Sequence, residues 1–267
     1  MATVQTAVPA ARRTTARRRF SWSSYPARVD VLLGSTRADR CRRDLRPRPA
    51  RGSAPWVDTV FVPGLDSLLY ALERRDPYTW RHSQRVCVLV QAIGWELGLD
   101  GRTVACLGLA GLVHDIGKLG VPRRILQKTG PLTALEYREV ARHMTYGERL
   151  LRPILGRHGT ILEIVRSHHE RMDGAGAPDG LCGRSIPVGA RIVAVADAFD
   201  AMVSSRPYRL GRLPEEALKE LRAHTGSQFD PLCVRALSRV AECALRSLPV
   251  HLRNGIRMDD ARYEVAV

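Results

Sequence analysis

Val104-Ala-Cys-Leu-Gly-Leu-Ala-Gly-Leu-Val-His114-Asp115 is the stretch on which the reading of this chain turns. From Thr103 onward apolar residues fill nearly every position, the pattern of a helix buried all round. The run ends on an imidazole and a carboxylate just before Gly117, where such a helix gives way to a turn. Burying an unpaired His and Asp there is costly unless a cation compensates.

The same side-chain chemistry recurs along the chain at His82, His143, His168-His169 and Asp197. Imidazole and carboxylate suit divalent iron, manganese, nickel or zinc, with magnesium as a further candidate. Seven such groups exceed the needs of one ion and suit two. Most of them sit in different apolar-periodic segments, which predicts helices converging on an interior site rather than a compact zinc clip. Adjacent residues on a helix point about 100° apart, so a doublet can offer one member to each ion. A lone histidine is more often a surface or satisfied core residue, and His158, His224 and His251 are read that way.

The remaining pattern past Thr59 is helical almost throughout. Leu65 to Glu73 has apolar residues at helical spacing, and Val86 to Leu99 continue one face of a helix that includes His82. Thr133 with Glu136 three residues on is a capping box that starts a helix reaching Arg142. Ile161 to Val165 lead into His168, and Ile192 to Val203 carry Asp197. Pro214 to Leu221 and Pro231 to Leu245 each place Pro in a first turn. Glu170 to Ile186, rich in Gly and Pro, reads as a loop. No period-2 strand competes with these segments, so the fold is predicted to be all-α.

Composition sets the rest. Residues 1–55 hold thirteen arginines against Asp30, Asp39 and Asp44, which puts +10 of the net charge of +15 there. Without a sustained apolar period, this predicts a disordered tail over residues 1–58. It is read as a solvated segment, with an acidic partner, anionic lipid or nucleic acid as the other reading. No uninterrupted apolar run approaches the roughly 18 residues that span a bilayer. Arg12-Arg13 and Arg17 to Arg19 are followed by no apolar export segment, so the expected location is the cytoplasm. The six cysteines form no Cys-x-x-Cys pair and suggest no disulfide framework.

A dense series of short motifs joins the metal-type residues. It runs from Leu72-Glu73-Arg74-Arg75-Asp76-Pro77-Tyr78-Thr79 before His82-Ser83 to His114-Asp115-Ile116-Gly117-Lys118, then His143 with Gly147. It continues with His168-His169-Glu170-Arg171, Asp173-Gly174, Gly176 and Pro178, then Ala196-Asp197-Ala198-Phe199-Asp200-Ala201 and Arg206-Pro207-Tyr208-Arg209. In this ordered series the stretch Leu68 to Val240 resembles an HD-GYP domain, a branch of the HD metal-dependent phosphohydrolases. The resemblance implies an HD-type helical bundle over residues 59–248, with a C-terminal extension over 249–267. It departs from the family at Gly176-Ala177-Pro178, where the naming motif has Gly-Tyr-Pro. Tyr78 stands where some members have a Glu supporting a third metal, so two metals are expected. Arg81 and Met144 replace a family Gly and Pro without removing a ligand.

What the resemblance implies is a binuclear centre with Asp115 bridging, His82, His114 and Asp197 on one ion, and His143, His168 and His169 on the other, iron or manganese foremost. Lys118, three residues after Asp115 and four after His114, shares their face if the helical turn persists. There it would stabilise phosphate charge. Arg206 and Arg209 would clamp phosphates by paired hydrogen bonds. Asp200 is read as structural, ordering the loop or a ligand histidine. The implied reaction is hydrolysis of cyclic di-GMP to pGpG and onward to GMP. In the family the Gly-Tyr-Pro loop is associated with substrate recognition and with diguanylate cyclase-type partners. Two other readings stay open: an HD-type phosphohydrolase of another nucleotide or phosphoester, and a non-catalytic cyclic di-GMP receptor or interaction module.

Overall fold

Helix α1 (Leu65–Arg75) buries Leu65, Leu69 and Leu72 and ends at Asp76, whose carboxylate starts the next helix. That carboxylate accepts the Thr79 N–H at 3.1 Å and the Thr79 hydroxyl at 2.8 Å, and Pro77 fills the first turn of α2 (Pro77–Glu96). Asp100 caps α3 (Gly101–Val113) in the same way, accepting from Arg102 N and Thr103 N. A 3-10 turn follows at Ile116–Gly120, then α4 (Arg123–Leu126) and α5 (Ala134–Ala141). The predicted Thr133/Glu136 capping box is formed in both directions. Next come α6 (His143–Leu155), α7 (Gly159–Ser167), a loop with one 3-10 turn at Gly183–Ser185, and α8 (Val188–Val203). Helices α9 (Pro214–Ala223) and α10 (Pro231–Ser247) complete the order.

This computed structural model describes residues 64–156, 158–205 and 210–247. The predicted tail, the C-terminal extension, and Arg206 and Arg209 lie outside the described residues. Among the described residues the architecture is all-α, with an isolated bridge between Thr225 and Phe229. No helix among them is long and apolar enough to cross a membrane.

The core is built around α2, which packs on α1, α3, α8 and α10. Val86, Val90 and Ile93 of α2 and Leu112, Val113 of α3 are fully enclosed. Against this frame the 3-10 turn presses on α6 at backbone contact. A Cβ on Gly117 would stand 1.8 Å from His143 O and 2.4 Å from Gly147 N, so only glycine lets the two segments meet. That contact sets His143 beside Asp115. Helix α6 is not anticipated by the sequence reading, and neither is α4. The doublets are also placed differently from the expectation of two residues on one helix. His114 and His168 are the C-caps of α3 and α7, and Asp115 and His169 fall just beyond.

Candidate metal centre

Three helix ends and two helix middles deliver the seven predicted side chains to one place. His114 Nδ1 lies 2.8 Å from Gly111 O, His143 Nδ1 2.7 Å from Val140 O, and His168 Nδ1 2.7 Å from Val165 O. A carbonyl oxygen only accepts, so each Nδ1 carries its proton and each Nε2 of the neutral ring presents a lone pair. His82, from the middle of α2, anchors its Nδ1 on Asp200 Oδ2 of α8 at 2.7 Å instead.

The free ring nitrogens converge. His143 Nε2 stands 3.3 Å from His168 Nε2, and His169 packs against both rings, at 5.1 and 4.2 Å between centroids. His114 Nε2 is buried with no hydrogen-bond partner, 3.5 Å from Asp115 Oδ2 and 3.9 Å from Asp197 Oδ1. His82 Nε2 is 2.9 Å from Asp197 Oδ1 and 3.9 Å from Asp115 Oδ2. Ligand atoms of His143, His168 and His169 lie within 4.8 Å of one another, as do those of His82, His114 and Asp115. Asp115 stands between the groups: its Oδ1 faces His143 Nε2 at 3.4 Å while Oδ2 faces His114 and His82. Asp115 and Lys118 are joined at 2.5 Å through that second oxygen. The 3-10 turn, not a continued α-helix, brings Lys118 there.

The electrostatics follow from burial and charge. Burial drives the pKa of His114 down and that of His168 well down, and takes His143 to about 4, keeping these rings neutral. Burial also opposes charge on His82, but hydrogen bonds to Asp197 and Asp200 overcome it and raise the ring to about 9. Asp115 is pushed up by burial yet held well below the carboxylate range by Lys118 and the surrounding imidazoles. An orphaned buried lone pair on His114, and facing lone pairs on His143 and His168, are the features a cation resolves. These His/Asp clusters fit a divalent metal site.

A cleft of about 200 Å³ opens onto this cluster, lined by Tyr78, Thr79, His82, Asp115, Lys118, His169, Asp197 and Ala201. A larger groove of about 430 Å³ lies between α9 and α10 at Arg222, Arg235 and Glu242. It contains no candidate ligand cluster, so side-chain chemistry rather than volume marks the site. The loop after His169 borders the centre. Buried Glu170 accepts Asp179 N–H at 2.7 Å and Leu181 N–H at 3.1 Å. Gly176 presses on the Glu170 backbone so closely that a Cβ would meet Glu170 Cα at 2.5 Å. Ala177 N–H then donates to His169 O at 3.3 Å. Sequence reasoning leaves Glu170 without a role and misses Arg85, which grips Asp200 from α2. Arg85 was within reach of the helical period, being three residues after His82.

Fold and site together define an all-α protein with a buried histidine–aspartate centre suited to divalent cations. The HD domain family model matches residues 67–232, and the chain belongs to that family. It is 43% identical over 180 residues to a cyclic di-GMP phosphodiesterase of Thermotoga maritima, covering 66% of this chain and 48% of the relative. It is 34% identical over 218 residues to 3'3'-cGAMP-specific phosphodiesterase 3 of Vibrio cholerae, covering 82% and 46%. An HDG"Y"P protein from Bdellovibrio bacteriovorus shares the fold, with a TM-score of 0.53 at 23% identity over 65% of this chain and 56% of that one. The HD-GYP resemblance read from the motifs agrees with these matches. The chain spans about half the length of the curated relatives it matches.

Proposed function

We propose that the domain over residues 59–248 is a metal-dependent phosphodiesterase that hydrolyses a cyclic dinucleotide, with cyclic di-GMP the first substrate to test. The observation that carries this reading is Asp115, whose two oxygens face separate histidine groups, Oδ1 toward His143 Nε2 and Oδ2 toward His114 Nε2. In this reading His82, His114 and Asp197 would hold one cation and His143, His168 and His169 the other, with Asp115 available to both. Iron and manganese suit such a mixed imidazole and carboxylate set. When bound, two cations hold the phosphate, acidify water and offset transition-state charge.

The chain's own groups do the rest. With Asp115 engaged as a ligand, the Lys118 ammonium at the cleft wall takes a phosphate oxygen as its next acceptor. Water adds across one P–O bond, leaving a 5'-phosphate on one nucleotide and a 3'-hydroxyl on the other, which is pGpG, with GMP after a second round. Arg206 and Arg209 complete the phosphate grip in this proposal. Relatives named for cyclic di-GMP and for 3'3'-cGAMP support the substrate class. The cGAMP names make that dinucleotide the second substrate to test, since Ala177 alters the loop beside His169.

The test is anaerobic purification with metal quantification, then incubation with each dinucleotide and chromatographic separation of products. Two metals per chain and products from wild type but not from Asp115→Ala are expected. Metal without hydrolysis of either dinucleotide would remove the substrate assignment. Tight binding of unchanged cyclic di-GMP would establish a receptor instead.

A further inference from the structure

We infer that Arg85 is a positioning residue of this centre, acting on His82 through Asp200; the inference rests on the proposed reading of His82 as a metal ligand. His114, His143 and His168 each anchor Nδ1 on the carbonyl three residues earlier, close to the C-terminal end of a helix or at its cap. The last carbonyls of a helix have no intrahelical partner, so such an anchor is available from the backbone. His82 sits inside the twenty-residue helix α2, where neighbouring carbonyls are taken up by the helix itself. Its anchor has to come from another element, and Asp200 Oδ2 of α8 supplies it at 2.7 Å.

A carboxylate is a less fixed anchor than a backbone carbonyl, because it turns about its own bond. Asp200 is completely enclosed, and Arg85 holds both of its oxygens. Nε donates to Oδ1 at 2.7 Å and Nη2 to Oδ2 at 3.0 Å. This side-on fork fixes the carboxylate plane in a way a single donor cannot. Ser204 Oγ, at 3.3 Å from Oδ2, adds one weaker contact. Arg85 is three residues after His82 on α2, so one helix face carries both the ligand and the clamp on that ligand's acceptor. Without the fork, one buried oxygen loses its partner, Asp200 turns, and His82 Nε2 is no longer held toward Asp197 and Asp115. Such outer contacts typically set metal affinity by 10- to 100-fold.

The test uses the full chain and Mn²⁺ as probe. Metal retained per chain is measured against graded chelator for wild type, Arg85→Gln and Arg85→Lys, with the metal-free thermal midpoint as a second readout. Arg85→Gln is expected to release one Mn²⁺ with affinity lowered roughly 10- to 100-fold, and Arg85→Lys, which keeps charge but not the fork, to fall between. Wild-type Mn²⁺ affinity in Arg85→Gln, with only a lowered metal-free midpoint, would overturn the inference and leave Arg85 as a tie between α2 and α8. If Arg85→Gln does not fold, Asp200→Asn decides in its place: weakened Mn²⁺ binding supports the relay, and wild-type binding overturns it. A wild-type chain that takes up no Mn²⁺ at all would overturn the metal reading itself, and the inference with it.

Discussion

The Nε2 atoms of His143 and His168 face each other at 3.3 Å while both ring protons are held at Nδ1, on Val140 O and Val165 O. Two lone pairs pointed at one another in a buried site repel, and a cation placed among them turns repulsion into binding energy. Stripping metal with chelator under anaerobic conditions is therefore expected to lower the thermal midpoint, and Mn²⁺ or Fe²⁺ to restore it better than Mg²⁺. At a hundred times its Kd a ligand contributes about 2.7 kcal/mol, which is roughly 5 to 10 °C for a domain of this size. A midpoint indifferent to chelator and to added ion would remove the cation from the account.

The same rings make the metal-free protein sensitive to pH in two directions. His143, taken to about 4 by burial, stays neutral in the fold while the unfolded chain takes up its proton below 6.5, so stability falls as pH drops from 6.5 toward 4. His114 and His168 act in the same sense. His82, raised to about 9, holds its proton in the fold, so its contribution is full below 6.5 and is lost as pH rises through 9. Denaturant midpoints of the metal-free chain should peak near pH 6.5. A stability that climbs steadily from pH 6.5 to 9 would contradict the His82–Asp197 and His82–Asp200 contacts.

Much of this site was legible because its groups are chemically unusual in apolar sequence. His114-Asp115 at the end of a run without polar relief, and Asp197 inside Ile192 to Val203, announce themselves. Helix α6 is hidden in the sequence, although His143, Met144, Gly147, Leu151 and Leu155 are buried at helical spacing; Arg149, Arg152 and Pro153 mask the period. The 3-10 turn at Ile116–Gly120 was beyond sequence reasoning for a different reason. It depends on backbone contact between Gly117 and α6, a relation between segments that no local pattern encodes. Glu170 stands in the His168-His169-Glu170-Arg171 motif, but its work of gathering the Asp179 and Leu181 amides exists only when the loop is folded.

Lys118 offers the sharpest separation of binding from chemistry. Its ammonium sits 2.5 Å from Asp115 Oδ2 at the cleft wall, and it is no ligand. Burial works against its charge, but the Asp115 carboxylate more than offsets this and raises its pKa, so it stays cationic at any working pH. Lys118→Ala should keep its metal complement while kcat falls on the order of 10²-fold, the usual cost of one donor to developing charge. Metal analysis alongside single-turnover rates checks both halves. An unchanged rate would make Lys118 a counter-ion to Asp115 and nothing more.

Ala177 lies next to the centre through its backbone, its N–H donating to the carbonyl of His169, the most exposed of the candidate ligands. An aromatic ring there gives a base a face to stack on, worth about 1 to 3 kcal/mol, while alanine gives none. Ala177→Tyr should lower KM for cyclic di-GMP by roughly 5- to 150-fold with little change in kcat, since no ligand or proton donor moves. The same variant assayed on 3'3'-cGAMP separates general stacking from selection of a guanine. Equal gains on both would assign position 177 to affinity alone. A gain confined to one would make this loop the place where the substrate is chosen, and no gain on either would move base recognition to the cleft wall that Tyr78 and Ala201 line.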